Sequence, residues 1–373
     1  MRAVRKTVFW MHLAVGLGAG AIVLLMSVTG FLMAFERQIL ERADGVRVTA
    51  PAGASVAGVE AHLAKFQGSD KAPTAILFDR DPAQAVIYQF GKERMEFANP
   101  HTGESLGEGN TAARGFFRFV LGLHRWLGQE GAAQPTGKAI IGTGNVLFLF
   151  LLVSGVFLWF PRRWTRPGLK AVTLFQKRLK GRARDWNWHN VFGFWAAIPL
   201  LVIVTCGTVI SWPWATAIVY RLAGEAPPPA NEKKKGPPAR TPLPDPKGLD
   251  AAMEAVKAAN PNWETIQLQL PQGKSASFAV AESHRGRPDK KRQVTVDLGT
   301  GQILKNEGME AMSTGRKART WIRWIHTGEA GGWPGQSIAA LAAASSVVLV
   351  WTGFALSWRR FRNRKRATAA AAA

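Results

Sequence analysis

The sequence predicts a membrane α-helical protein with four transmembrane helices in two parallel repeats and two α+β units outside the membrane. Four separate apolar runs predict it, each close to the roughly 20 residues that cross a hydrocarbon core. They are Leu13–Phe35, Ala139–Phe160, Phe192–Trp214 and Ile338–Trp358. Basic clusters fall on one side of the resulting topology, and a histidine stands beside one end of every run. The chain has 373 residues, a formal charge of +23 and 47% hydrophobic residues, an average that conceals this division into apolar blocks and polar regions.

Taken in order, residues 1–36 form the first transmembrane helix. Its apolar run outlasts a signal-peptide core, and no small-x-small cleavage site follows Phe31–Arg37, so it reads as a retained anchor. Residues 37–115 form the first α+β unit, with a helix at Val59–Phe66 and strands at Ala75–Phe78, Ala85–Phe90 and Arg94–Ala98. Residues 116–161 carry a juxtamembrane helix and the second transmembrane helix. A basic loop, 162–185, leads to the third transmembrane helix at 186–215.

Residues 216–318 hold a Pro/Lys-rich linker at Ala226–Pro246 and the second unit. Its helix is expected at Leu249–Ala259, with strands at Thr265–Leu270, Ser277–Ala281 and Gln293–Asp297. Residues 319–360 contain a juxtamembrane segment and the fourth transmembrane helix, and 361–373 form a tail. Both units end on similar turns, Asn99–Gly103 and Asp297–Gly301, whose residues turn chemistry alone explains.

The charges orient this plan. Arg2, Arg5 and Lys6 precede the first helix, and Arg359, Arg360, Arg362, Arg364, Lys365 and Arg366 follow the last. The loop between the second and third helices has Arg162, Arg163, Arg166, Lys170, Lys177, Arg178, Lys180, Arg182 and Arg184, with Asp185 its only acid. The positive-inside rule makes that side cytoplasmic, so the chain is expected in an inner membrane with both termini inside, in contact with lipid. Basic runs placed against helix ends speak for topology and against a nucleic-acid partner. Of the 15 tryptophans, most lie where an interfacial aromatic belt would; Trp195 and Trp351 read instead as interior packing. The single Cys206 excludes a disulfide framework and reads as a small packing residue.

The histidines point to chemistry. His12 and His189 open outward-running helices and share the inner layer; His124 and His326 precede inward-running helices and share the outer layer. Ligands to one cofactor must lie at similar depth on facing helices. The pattern therefore pairs His12 with His189, and His124 with His326, as axial ligands of two haems. No Cys-x-x-Cys-His motif is present, so both would be non-covalent b-type haems. Haem propionates need cations, for which Arg125, Arg323, Arg118 and Arg319 are the outer candidates and Arg5 and Lys6 the inner ones. Gly16, Gly30, Gly155, Gly193, Gly207 and Gly353 would admit a macrocycle or a neighbouring helix. His62, His101 and His284 show no such pattern and read as surface residues. Arg285, Arg287, Lys290, Lys291 and Arg292 form a basic stretch that reads as a solvated loop or an attractor of anions.

Aligning His12 with His189 places Gly16 beside Gly193 and Thr29-Gly30 beside Cys206-Gly207. Together with Leu123–Leu127 around His124, Ser154-Gly155 before Trp159–Arg163, and Pro199, these residues resemble the PepSY-associated transmembrane family over nearly the whole chain. The resemblance implies PepSY-like outer units. It also implies a likeness to inner-membrane ferric-siderophore reductases with two b-type haems. Only His124 keeps an adjacent arginine here; Leu13, Asn190 and Thr327 follow the other three.

The leading expectation is thus an enzyme, a dihaem oxidoreductase that reduces a periplasmic ferric siderophore to release ferrous iron. A b-type conduit to another periplasmic acceptor is the second reading. A non-enzymatic PepSY-type membrane sensor or binding protein is the third. No Rossmann-type glycine fingerprint and no sizeable cytoplasmic domain is present, so electrons must come from a cytoplasmic donor or membrane quinol.

Overall fold

The computed structural model describes residues 2–49, 55–67, 72–91, 94–160, 164–229, 247–270, 273–283 and 286–372, with side chains to 363. Arg162, Arg163, His284, Arg285 and the linker from 230 to 246 lie outside the described residues. The chain divides into two compact units, one formed by Met1–Glu36, Gly115–Leu222 and Trp321–Ala373, the other by Arg37–Arg114 and Ala223–Thr320.

In chain order the helices and strands are α1 (Arg2–Met33), α2 (Glu36–Asp44), α3 (Val59–Ala64), β1 (Ala75–Asp79), β2 (Val86–Phe90), β3 (Arg94–Ala98) and β4 (Ser105–Gly107). Next come α4 (Thr111–Trp126), α5 (Gln134–Trp159), α6 (Arg166–Thr173), α7 (Gly181–Ser211), α8 (Pro213–Leu222) and α9 (Leu249–Ala259). The chain ends with β5 (Thr265–Gln269), β6 (Ser275–Ala281), β7 (Lys291–Asp297), β8 (Ile303–Glu307), α10 (Thr314–His326) and α11 (Gly332–Ala372).

Among the described residues, four helical segments are long and apolar enough to cross a membrane: Arg2–Met33, Gly131–Trp159, Gly181–Ser211 and Glu329–Asn363. α1 packs on α5 and α11, and α7 packs on the same two, so α1 and α7 occupy one diagonal of a four-helix bundle. Its interior is apolar, with Val23, Met26, Phe148, Leu152, Leu200 and Val204 buried together. Leu17, Leu24, Val153, Ile198 and Leu341 face outward, as lipid contact demands. Small residues allow close approach: the Phe354 ring rests on Gly20, and the Trp212 indole on Gly142. Two interior hydrogen bonds add specificity, Ser27 Oγ to Ser346 Oγ at 2.8 Å and Asn145 Nδ2 to Thr208 Oγ1 at 2.8 Å. Trp195 and Trp351, expected inside, are 65% and 47% exposed, because their helix faces turn away from the bundle axis. α11 continues past residue 360 through the alanine-rich tail, whose residues are strong helix formers.

The basic loop is structured. Asn187 of α7 donates to the Ala171 and Leu174 carbonyls at 2.8 and 3.0 Å and accepts the Gln176 N–H at 3.1 Å. Trp195 Nε1 donates to the Thr173 carbonyl at 2.9 Å. These contacts hold α6 against the bundle. Asp185 is fully buried and forms ion pairs with Arg184 at 2.8 Å and Arg359 at 3.1 Å.

The segments that link the bundle helices correct one expectation. They form a single eight-stranded antiparallel sheet, ordered β4-β3-β2-β1-β5-β6-β7-β8, rather than two separate α+β units. The join is β1 with β5, in register from Ala75↔Gln269 to Asp79↔Thr265. Separate units would leave both strands as open edges; pairing satisfies their backbone donors and acceptors. β4 and β8, unforeseen from sequence, extend each half by one short strand after its turn. Alternate residues, Ile76, Phe78, Val86, Tyr88, Ile266, Leu268, Phe278, Val280, Val294 and Val296, share a core with Val59 and Leu63 of α3 and Leu249, Met253 and Val256 of α9. Both helices therefore cover one face of one sheet.

Candidate functional site

His12 and His189 belong to α1 and α7, on the bundle diagonal. His12 Nδ1 lies 2.8 Å from Ser154 Oγ of α5, and His189 Nδ1 lies 2.9 Å from Thr352 Oγ1 of α11. His124 closes α4 and His326 closes α10. His124 Nδ1 meets Thr29 Oγ1 of α1 at 2.8 Å, and His326 Nδ1 meets the Ile203 carbonyl of α7 at 2.8 Å. Each ring also lies on a glycine. A Cβ at Gly155, Gly353, Gly30 or Gly207 would sit 3.4, 3.6, 3.6 or 3.2 Å from the Cε1 of His12, His189, His124 or His326 respectively. Gly16 and Gly193 instead face Leu151 and Leu349.

These contacts decide the tautomers. The Ser154, Thr352 and Thr29 hydroxyls donate to the Phe150, Val348 and Leu25 carbonyls at 2.7, 2.7 and 2.6 Å. With its proton committed, each oxygen can only accept from a ring, and the Ile203 carbonyl can only accept. All four rings thus carry Nδ1–H, leaving Nε2 as an unprotonated lone pair with no hydrogen-bond partner among the described residues. That is the tautomer of a ligating imidazole whose other nitrogen is held by an acceptor.

The His124 and His326 ring centres are 6.3 Å apart. Two imidazoles on one metal, each nitrogen about 2 Å from it, place their ring centres about 6 Å apart. The separation therefore fits a bis-histidine axial pair. The two layers are well separated: Thr29 lies 17 residues after His12 on α1 (29 − 12), about 26 Å along the helix.

Over residues 9–360 the sequence matches the PepSY-associated TM region. The chain belongs to that family. It is a membrane-spanning protein, and all four histidines and their acceptors lie within the matched region. No curated protein matches the chain at a significant level.

Other expected site residues of this PepSY-associated protein sort unevenly. Arg125 and Arg323 are neighbours: partial desolvation and then the Arg323 charge lower the pKa of Arg125. Each guanidinium lies over the tryptophan that follows it, Trp126 at 4.6 Å and Trp324 at 5.6 Å from the ring centre. Neither has a carboxylate partner among the described residues, so together with His124 and His326 they offer two cations to an anionic group. Arg5 is occupied elsewhere, donating to the Leu158 carbonyl and to the Phe160 carbonyl at 3.0 Å, where it closes the end of α5. The basic stretch of the sheet is also largely spent internally: Arg287 pairs with Asp289 at 2.6 Å, Lys290 with Glu282 at 3.1 Å and Arg292 with Glu310 at 2.6 Å.

His62 corrects the surface reading. It is fully buried between Val59 and Leu63 on the inner face of α3, a helix of six residues too short to reveal its periodicity. Its Nδ1 lies 2.6 Å from the Tyr88 hydroxyl, and burial pushes its pKa down to about 4. His101 is half-buried, with Nδ1 3.0 Å from the Ser55 carbonyl.

Sequence reasoning assigned no part to Ser154, Thr352 or the Thr29 hydroxyl. A signal is present, since Ser154-Gly155, Thr352-Gly353 and Thr29-Gly30 repeat one hydroxyl–glycine pair on three helices, and Cys206-Gly207 occupies the fourth position.

Proposed function

We propose that this protein is a dihaem oxidoreductase of the bacterial inner membrane, with both termini cytoplasmic and two parallel helix repeats. In this reading it delivers electrons to a ferric siderophore in the periplasm. One observation supports it above the others: four histidines in two layers, every one held through Nδ1 with Nε2 available. A structural histidine in an apolar bundle does not need that arrangement, and four sharing it are hard to explain otherwise.

Bound at the two layers, b-type haems would supply reversible one-electron chemistry, linking a quinol or reduced cytoplasmic carrier to Fe(III) chelates that each take one electron to become Fe(II). The chain's own residues define the rest. His12 and His189 hold the inner layer, and His124 and His326 the outer. With two imidazoles to hold the group at each site, a haem bound there would leave no open position for the chelate, which would be reduced without binding haem iron. Arg125 and Arg323 supply cations at the outer layer, where propionates need them. The apolar interior between the layers, from Val23 to Phe148 and Leu200, excludes water and so protects the electron from competing reactions.

A reduced-minus-oxidised spectrum of the purified full-length protein, with haem quantified per chain, tests the reading. The expected result is two low-spin, six-coordinate b-type haems per chain. A stoichiometry near one or zero would reject it.

A further inference from the structure

The hydrogen bonds behind the four rings differ between the layers. In the inner layer both acceptors are hydroxyls, Ser154 for His12 and Thr352 for His189. In the outer layer one is a hydroxyl, Thr29, and the other a main-chain carbonyl, Ile203. The difference traces to one position. Thr29 lies 17 residues after His12 (29 − 12), and Cys206 lies 17 after His189 (206 − 189). A thiol is a weak acceptor, so His326 is left with the carbonyl three residues earlier, whereas His124 and His189 have a hydroxyl in addition to the equivalent carbonyls of Met26 and Leu349.

We propose that Thr29, Ser154, Thr352 and the Ile203 carbonyl are positioning groups that set the donor strength of each Nε2, and that Cys206 gives the outer layer a different redox potential. The inference rests on the haem reading above. Its physical basis is the pull that an acceptor exerts on Nδ1–H. The stronger the acceptor, the more anionic the ring, the more basic Nε2, and the better the ferric state is stabilised. His326 has a carbonyl and no hydroxyl behind it, so its Nε2 differs in donor strength from that of His124, its partner in the outer layer.

Helix back-bonding alone does not account for the hydroxyls. Serine and threonine in apolar helices commonly donate to the carbonyl four residues earlier, and that bond needs no second partner. Here Ser154, Thr352 and Thr29 each also meet an imidazole nitrogen, at 2.8, 2.9 and 2.8 Å, from a different helix. Each of these hydroxyls and the glycine after it meet adjacent atoms of one ring, Nδ1 and Cε1, and so restrict its rotation.

The test is a spectroelectrochemical titration of the purified full-length protein and its variants, with layers assigned from His12→Ala and His124→Ala. Cys206→Thr gives His326 the hydroxyl that His124 has, and should shift the midpoint potential of the outer haem alone. Ser154→Ala and Thr352→Ala should displace only the inner haem's potential or release that haem, with Ser154→Thr and Thr352→Ser restoring it. Thr29→Ala should act only on the outer haem, with Thr29→Ser as its restoring partner. Unchanged potentials in all four variants at full haem content would overturn the proposal, as would equal effects on both haems. A wild-type protein without haem would instead reject the underlying reading, so the two failures are distinct.

Discussion

Glu60 and Asp250 cap each other's helices. Asp250 Oδ1 accepts the Glu60 N–H at 3.1 Å at the start of α3, and Glu60 Oε1 accepts the Asp250 N–H at 3.3 Å at the start of α9. One reciprocal bond thus joins the two halves of the sheet unit across 190 residues of chain. Loss of a capping side chain typically costs about 1 kcal/mol. Glu60→Ala and Asp250→Ala should each lower the stability of the sheet unit by about that much, and the double variant by less than the sum, because the two bonds form one network. A Cβ at Gly58 would approach Asp250 Oδ1 to 2.6 Å, so Gly58→Ala should destabilise the native protein yet be tolerated beside Asp250→Ala. Thermal unfolding of the full chain in detergent measures all five variants; additive losses in the Glu60/Asp250 double variant would show the caps to be independent.

The His62–Tyr88 pair makes the same unit sensitive to acid. Burial lowers the pKa of His62 from 6.5 to about 4, so the unfolded chain binds the proton more readily than the folded one. Stability is therefore highest above pH 6.5 and falls as pH drops from 6.5 toward 4. The loss approaches about 3 kcal/mol below that range, because each tenfold difference in proton affinity is worth roughly 1.36 kcal/mol. His62→Met should remove most of this slope between pH 4 and 6.5. Tyr88→Phe should cost about 1–3 kcal/mol at neutral pH by leaving the His62 nitrogen without its partner. Denaturant titrations at about pH 7 and about pH 4.5, on either side of most of that window, decide. An unchanged slope in His62→Met would assign the sensitivity to other groups.

The parts legible in the sequence are those whose signal is local. The four apolar runs exceed anything a soluble helix of this chain shows, and the histidine offsets from Gly16 and Gly193 can be counted directly. The shared sheet is not local: Asp79 pairs with Thr265, 186 residues on (265 − 79), and neither strand's alternation says which edge it will join. β4 is three exposed residues, indistinguishable from the end of a turn. His62 hides in a helix shorter than two turns. The acceptors of the site are visible as residue types, yet their role depends on which helix faces them, as Ser154 with His12 shows.

The ligand pairs should fail together. His12→Ala and His189→Ala should each remove the inner haem and keep the outer, while His124→Ala and His326→Ala should do the converse. Difference spectra of the four variants separate these outcomes. If His12→Ala removes the same spectral component as His124→Ala, the layered pairing is wrong.

The Arg323 charge disfavours that of Arg125, and neither has a carboxylate partner among the described residues, so an anion joining them would relieve the repulsion. Arg125→Gln and Arg323→Gln should weaken retention of the outer haem, the double variant most, without loss of the inner one. Arg125→Lys should recover only part, since a guanidinium can grip a carboxylate with two parallel bonds and an ammonium cannot. Haem content after prolonged detergent washing reports the effect. Equal loss from both layers would point to a general folding defect.

The final prediction concerns direction. In the proposed orientation, with both termini inside, the His12–His189 layer would face the donor and the His124–His326 layer the acceptor. Chemically reduced protein in detergent should be reoxidised by a ferric hydroxamate, with ferrous iron appearing in a chelating trap at one ion per electron lost. In sealed vesicles of known orientation, a membrane-impermeant ferric chelate should oxidise the protein only from the periplasmic side. Removing the inner haem by His189→Ala should then stop turnover from a cytoplasmic donor, because an electron cannot cross the remaining apolar interior at a useful rate. The same variant should leave direct reoxidation of a pre-reduced outer haem largely intact, since His124 and His326 are untouched. Equal oxidation from both faces would contradict the orientation set by the basic loops. Failure of every ferric chelate, with both haems present and reducible, would leave an electron conduit whose acceptor is something other than chelated iron.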